Sequence, residues 1–206
     1  MNESGLLIVL SGPSGAGKGT VVKALLEQQE GLRLSVSATT RTPRPGELHG
    51  QHYFFLPKEE FVAKIEQGKM LEYAQYCGNY YGTPAEPIHQ WRADGLDVLL
   101  EIEIQGGGQI KQKCPDCVGI FLLPPSLAEL ENRLRARGTE PEDVIAKRMA
   151  TARDELSGVS GYDYAVVNDS IGQTVRRIQT IIAAEKLRFS RVKQTSDLWK
   201  GSCPSC

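Results

Sequence analysis

Gly12, Pro13, Ser14, Gly15, Ala16, Gly17 and Lys18 set two glycines five positions apart, with a lysine directly after the second. The run lies between the apolar segment Leu6-Leu-Ile-Val-Leu10 and a helical segment from Val21 to about Gln29, which is the setting where this spacing has chemical meaning. Glycines let successive backbone N–H groups turn toward phosphate oxygens, the helix N-terminus adds partial positive charge, and Lys18 neutralises the outer phosphates. Strand, phosphate loop and helix in that order commit the chain to an α/β fold around a buried strand. A plain glycine-rich turn with a solvated lysine is the weaker reading, because both flanking elements are present.

Two more apolar runs, Asp97-Val-Leu-Leu-Glu-Ile-Glu103 and Val118-Gly-Ile-Phe-Leu-Leu123, are each followed by a segment able to form a helix. Continuous apolar runs separated by helices predict a parallel sheet covered on both faces. A helix is expected from Leu127 to about Arg137, opened by Ser126 and Glu129 as a capping box, then another after Pro141. Tyr164-Ala-Val-Val167 reads as a last strand and about Ile171 to Val192 as a long closing helix. Between Leu34 and Gly82 the pieces are short and broken by Pro43, Pro45, Gly46 and Gly50, so a small mixed insertion is expected there. The expected division of one domain, 1–206, is a core of 5–36, 84–125 and 157–193, an insertion at 37–83, a lid at about 126–156 and a tail at 194–206.

Composition narrows the partners. With 24 Lys and Arg against 25 Asp and Glu, the net charge of −1 gives no general pull toward nucleic acid or an anionic membrane. The apolar runs fall well short of the roughly 20 residues of a membrane span, and the N-terminus lacks signal-peptide segments. A cytoplasmic protein is expected, and its five cysteines, an odd number, suit a reducing compartment better than a disulfide scaffold. Whether it is a monomer or a homo-oligomer is left open.

Arg41 and Arg44 stand in a proline-restricted loop, Ser37-Ala-Thr-Thr-Arg-Thr-Pro-Arg-Pro-Gly46, and two guanidinium forks held close suit a phosphate dianion. Tyr53, Leu71-Glu72-Tyr73 and Gly78-Asn-Tyr-Tyr-Gly-Thr83 add phenols, hydroxyls and one carboxylate. With Leu100-Glu-Ile-Glu-Ile-Gln-Gly106 and Arg137-Gly-Thr-Glu140, these motifs together resemble the guanylate kinase family, in order from about Gly5 to Leu187. The resemblance implies a P-loop nucleoside-monophosphate kinase fold: a parallel sheet core flanked by helices, a small mixed acceptor-binding insertion and a helical lid. It implies ATP-dependent phosphorylation of GMP or dGMP to GDP or dGDP in purine nucleotide metabolism and GMP recycling, with Mg2+.

Carried onto this chain, the resemblance makes Arg41, Arg44, Tyr53 and Tyr81 binders of the GMP phosphate, and Ser37, Glu72 and Thr83 binders of guanine. The chemistry agrees for Glu72, since guanine shows two N–H donors side by side and a carboxylate accepts both; alternation beside Leu71 and Tyr73 also permits a solvent-facing Glu72. Glu101 and Glu103, two apart at the end of a buried strand, share one face at the edge where ligands sit in open parallel sheets. The resemblance puts them near the acceptor nucleotide and hydrated magnesium. It makes Arg133, Arg137 and Arg148 the cations that close on the transferring phosphoryl group, while Arg135, about 200° round the helix from Arg133, is expected in solvent. Asn168 matches an adenine-side contact of ATP, or else belongs to a simple Asn-Asp turn.

The position after Lys18, where a hydroxyl commonly ligates magnesium, is Gly19, and Thr20 comes about 100° further round the helix. Either Thr20 reaches Mg2+ from its shifted place, or water and nucleotide supply most of the shell. Cys114-Pro-Asp-Cys117 and Cys203-Pro-Ser-Cys206 are two C-x-x-C pairs far apart in sequence. They are either unrelated reduced thiols or, if the closing helix returns to the edge that carries the first pair, four ligands of a structural Zn2+. Two other functions compete with the kinase reading: a non-catalytic interaction module of the same fold, against which Lys18, Arg41, Arg44, Glu72 and Arg137 argue, and a P-loop kinase for another small phosphorylated acceptor.

Overall fold

In a computed structural model of the chain, which describes residues 4–76, 78–136 and 141–191, five parallel strands form the core sheet. The chain runs β1 (Leu7–Ser11), α1 (Lys18–Gln28), β2 (Leu32–Leu34), β3 (Ala38–Thr39), β4 (Phe54–Phe55), α2 (Lys58–Glu66), β5 (Met70–Tyr76), β6 (Asn79–Pro84) and α3 (Ala85–Ala93). It continues as β7 (Asp97–Glu101), α4 (Ile104–Lys113), β8 (Val118–Leu123), α5 (Leu127–Ala136), α6 (Glu142–Ser157), a 3-10 turn (Gly158–Gly161), β9 (Tyr164–Val167) and α7 (Ile171–Lys186).

The core order is β2-β7-β1-β8-β9, with β1 paired in parallel to β7 and to β8. The apolar run of β1 is continuous because both of its faces are covered. Ile8 and Leu10 pack with Val21, Leu25, Val175 and Ile178 of α1 and α7, while Leu7 and Val9 pack with Val98, Leu100, Ile88 and Ile110 toward α3 and α4. Chain direction switches across the sheet at β1, so a crevice opens beyond its C-terminal end, where the phosphate loop begins.

The insertion is a second sheet, β4-β3-β6-β5, over a small core of Ala38, Phe61 and Met70. The helices α5 and α6 form a pair closed by Leu130, Leu134, Ile145, Met149 and Ala152. As expected, Ser126 Oγ accepts from the Glu129 N–H at 3.0 Å, but the Glu129 carboxylate turns to Arg133 Nε at 2.8 Å instead of completing the capping box.

Two helix boundaries differ from expectation. Helix α1 begins at Lys18, three residues early, because Gly17 takes the left-handed conformation at its N-cap and the phosphate loop feeds straight into the first turn. The last helix ends at Lys186 rather than Val192. Beyond it the chain passes the sheet, leaving Leu187 and Phe189 79% and 80% exposed, and Arg191 Nη2 folds back to Glu185 Oε2 at 3.0 Å.

Candidate active site

A cleft of about 510 Å³ lies past the C-terminal ends of β1 and β7, lined by Gly12, Ser14, Lys18, Ser37, Tyr53, Glu72, Tyr81, Glu101 and Glu103 together with His52, Gln105, Gly106 and Glu155. It thus gathers the phosphate loop, the insertion and the α5–α6 pair around one space. A hollow of about 570 Å³ near Lys69, Glu86 and His89 is an open surface groove and draws on none of the motifs read from the sequence.

At the base of the cleft, Lys18 Nζ donates to the Gly12 carbonyl at 2.5 Å and the Pro13 carbonyl at 3.4 Å. Burial lowers its pKa, opposed by the carboxylates of Glu101, Glu155 and Glu103. A Cβ at Gly17, whose φ is +92°, would stand 2.6 Å from Asn168 Nδ2. The glycine is required twice there, for its backbone angle and for the close approach. Asn168 is buried, and its Nδ2 donates to the Ala16 carbonyl at 2.8 Å while its Oδ1 accepts from Thr174 Oγ1 at 3.1 Å. Its carboxamide is therefore committed to the underside of the loop.

Glu72 is only 6% exposed, which alternation alone did not fix. The pairing of β5 with β6 shifts register between Met70 and Glu72, and a bulge of this kind re-aims a side chain. Leu71 and Glu72 are consequently both buried. Thr83, paired opposite, donates its hydroxyl to Glu72 Oε1 at 2.6 Å; the other oxygen lies 2.8 Å from where a Cβ of Gly106 would be, so a side chain there would push the carboxylate aside. Helix α4 braces this strand, with Gln109 Nε2 donating to the Tyr73 carbonyl at 2.9 Å and Lys113 Nζ to the Leu71 carbonyl at 2.8 Å. Burial raises the pKa of Glu72, countered by the Thr83 hydroxyl and Lys113.

Arg41 stacks over Tyr53 and Phe55, its central carbon 5.6 and 5.8 Å from the ring centres, and Tyr53 meets Tyr81 edge-on at 6.2 Å. Arg44 has an exposed side chain, so of the two guanidinium groups only that of Arg41 is packed among the rings. Glu101 closes β7 opposite Leu10, and burial raises its pKa against the pull of Lys18. Glu103 is exposed at the N-cap of α4.

Arg133 reaches the loop region, its Nη2 donating to the Asn168 carbonyl at 3.2 Å. Arg148 is half-buried on α6, and Arg137 lies outside the described residues. Arg135, expected in solvent, is 44% exposed yet ion-paired with Glu131 and Glu142, joining α5 to α6. Glu155 escaped the sequence reading, although it stands seven residues, about two turns, after Arg148 and so on the same side of α6. Its Oε2 is buried without a hydrogen-bond partner among the described residues, and burial raises its pKa.

The family model described as guanylate kinase matches residues 4–185. A guanylate kinase of Desulfitobacterium hafniense is 57% identical over 187 residues, covering 91% of this chain and 94% of that protein. One of Enterococcus faecalis is 55% identical over 193 residues, covering 93% and 95%. The crystal structure of guanylate kinase from Anaplasma phagocytophilum matches with a TM-score of 0.79 at 33% identity, over 99% of this chain and 98% of that one. A shikimate kinase from Bacteroides thetaiotaomicron, at 16% identity and a TM-score of 0.50, shares the fold alone.

Proposed function

The chain belongs to the guanylate kinase family and transfers a phosphoryl group from ATP to GMP, and from that premise we propose which of its residues do the work. What carries the assignment is the single cleft in which Lys18 and the phosphate loop face Glu72, Tyr53 and Tyr81. ATP lays its phosphates along the loop from Gly12 to Thr20 at the N-terminus of α1, on the backbone N–H groups that every position but Pro13 carries, with Lys18 on the outer phosphates. GMP sits with guanine against Glu72, fixed by Thr83, with Ser37 at the base and its phosphate toward Arg41, Arg44, Tyr53 and Tyr81. dGMP fits the same contacts, since none of them calls on the ribose 2′-hydroxyl.

Phosphoryl transfer needs positioning and neutralisation of charge more than proton abstraction. One oxygen of the GMP phosphate attacks the γ-phosphorus, the bond to the β–γ bridging oxygen breaks, and ADP and GDP result. Arg133, Arg137 and Arg148, on or beside the α5–α6 lid, close on the transferring group, and water is kept out as the lid shuts.

Mg2+ fits the acidic end of β7. A Cβ at Gly19 would lie 3.9 Å from Glu101 Oε1, so the space of the missing hydroxyl faces a carboxylate. Among the described residues no cluster of three or more carboxylate, histidine or cysteine side chains is ready-made for a metal; phosphate oxygens and water complete the shell, as this ion favours. Glu101, Glu103 and Thr20 are the residues that would hold it, and when bound it supplies charge neutralisation on the phosphates.

We further propose a structural Zn2+ at the opposite end of the sheet. The Cys117 N–H donates to the Cys114 carbonyl at 2.9 Å, a turn that carries two free thiols, one half-buried and one buried, and Arg191 Nη2 donates to the Asp116 carbonyl at 2.7 Å. The chain after α7 therefore sets out from beside the first pair, which supports Cys203 and Cys206, outside the described residues, as the other two ligands. Burial holds Cys117 at about 11, so the metal must displace protons to bind. About one zinc per chain after purification without chelator supports the site, and less than about a tenth overturns it. Reduced thiols also suit a cytoplasmic setting.

The test of the whole reading is a coupled ADP assay over GMP, dGMP, AMP, UMP and a sugar phosphate. Turnover is expected with GMP and dGMP; turnover without a guanine acceptor overturns the assignment of Glu72.

A further inference from the structure

Glu47 lies in the turn between Arg41 and β4. Its Oε1 accepts from Arg41 Nη2 at 2.9 Å, and its Oε2 accepts from the backbone N–H of Arg44 at 2.7 Å. Arg41 Nη1 donates to the Thr42 carbonyl at 2.7 Å, and the flat of the guanidinium rests on Tyr53 and Phe55. The side chains of the pair are only 15% and 18% exposed. One carboxylate thus fixes a guanidinium fork with one oxygen and the backbone of the same loop with the other. We infer that Glu47 is a positioning residue for the acceptor phosphate, holding Arg41 in the orientation in which its remaining donors meet the phosphate dianion.

Two effects of opposite sign compete here. The negative charge of Glu47 lies near where a dianion must bind, and by Coulomb's law alone its removal should tighten GMP binding. Against this, an arginine on a loop restrained only by prolines has many rotamers, and fixing it beforehand removes that cost from the binding step. Several observations favour the second effect. The carboxylate hydrogen bond is the largest influence on Arg41 and raises its pKa, while the same contact, together with the Arg44 N–H, lowers that of Glu47. The two rings and the Thr42 carbonyl hold the fork from other sides, so Glu47 completes a socket rather than filling the phosphate position with a stray charge.

The inference rests on the reading of Arg41 as a phosphate ligand, and the experiment separates the two. Steady-state kinetics are measured for Glu47→Gln, Glu47→Asp, Arg41→Ala and the double variant Arg41→Ala/Glu47→Gln, alongside inhibition by guanosine, which lacks the phosphate. Glu47→Gln is expected to raise KM for GMP about tenfold, the size of one weakened charge-assisted hydrogen bond. KM for ATP and the guanosine inhibition constant should stay within about twofold, and Glu47→Asp should recover part of the loss. In the Arg41→Ala background the further change Glu47→Gln should have little effect, because the carboxylate acts through that arginine. An unchanged or lowered KM for GMP in Glu47→Gln overturns the positioning role, as does a parallel loss of guanosine binding, which marks general disruption of the insertion. An unchanged KM for GMP in Arg41→Ala instead overturns the phosphate-site reading beneath it.

Discussion

Asn168 Nδ2 donates to the carbonyl of Ala16 at 2.8 Å, so the segment leaving β9 supports the phosphate loop from below. The amide is held in turn by Thr174 Oγ1 from α7, and Arg133 of α5 rests on the Asn168 carbonyl. Segments distant in sequence therefore meet under the loop and brace it from the side away from the cleft.

Replacing Asn168 by Ala leaves the Ala16 carbonyl and the Thr174 hydroxyl without this partner, at a cost of about 1–3 kcal/mol. Asn168→Asp should be worse for activity, because a carboxylate cannot donate to Ala16 and adds negative charge beneath the bound phosphates. Urea unfolding should show the first effect. A larger rise in KM for ATP in Asn168→Asp than in Asn168→Ala should show the second, and equal values would refute it.

Lys18 is partly buried and, among the described residues, has only loop carbonyls as hydrogen-bond acceptors. Burial lowers its pKa, so a charged Lys18 is a cost to the empty fold at neutral pH. Its folded pKa lies below its unfolded one, hence its contribution to stability rises with pH in the alkaline range. Lys18→Met should leave the melting temperature unchanged or higher while kcat falls at least about a hundredfold, as expected for losing one preorganised charge. Activity within about tenfold of the parent, roughly 1.4 kcal/mol of barrier, contradicts the role.

Much of this was legible beforehand, for a physical reason. The phosphate loop is contiguous and its chemistry is local, and β1, β7 and β8 are buried on both faces, so their apolar runs are unbroken. The burial of Glu72 was not legible, because a register shift breaks the alternation on which such a reading depends; its expected role at guanine came from the family resemblance, with which the chemistry of a carboxylate agrees. The support that Asn168 gives to Ala16 is long-range, 152 residues apart in sequence, and no spacing announces it, whereas Arg135 sits four residues after Glu131, a helical spacing that does. Glu47 left a local signal, an acid three residues after Arg44 in an arginine loop, that reads equally as solvated charge until its two hydrogen bonds are seen.

Glu72 shows stability and function pulling apart. Burial raises its pKa, so as pH falls through the raised value the folded state takes up a proton that the unfolded chain does not yet hold. Its contribution to stability therefore grows as pH falls and is lost as pH rises through the folded pKa. Guanine, with its two donors, needs the ionised form, so GMP affinity should move the opposite way. The GMP phosphate itself titrates near pH 6, roughly as other phosphomonoesters do, so parent and Glu72→Gln must be compared at each pH. The variant should bind GMP about ten- to hundredfold more weakly at neutral pH, consistent with losing a charged acceptor, and melt no lower than the parent. Calorimetry showing equal GMP affinity would place the base elsewhere.

The lid should close only when both nucleotides are present. Arg133 and Arg148 lie on helices whose apolar faces pack on each other and whose Leu130 and Leu134 abut the phosphate loop at Gly15, where a Cβ would stand 2.9 Å from Leu130 Cδ1 and 3.0 Å from Leu134 Cδ2. The α5–α6 pair can therefore move as one body against the loop, with the 3-10 turn from Gly158 to Gly161 as its link to the core. On the other side the insertion packs on α4 through Gln109 and Lys113, and it is expected to close together with the lid. With both nucleotides bound, phosphates are expected between Lys18, Arg41 and the lid arginines, and closing then excludes water that would otherwise hydrolyse ATP. Genetically encoded fluorophores at the exposed positions Glu59 on α2 and Thr151 on α6 leave the cysteines untouched. Energy transfer between them should rise more with a non-hydrolysable ATP analogue plus GMP than with either ligand alone. An unchanged signal with both ligands would mean that the lid arginines are already in place in the free enzyme, and that the closure described here does not occur.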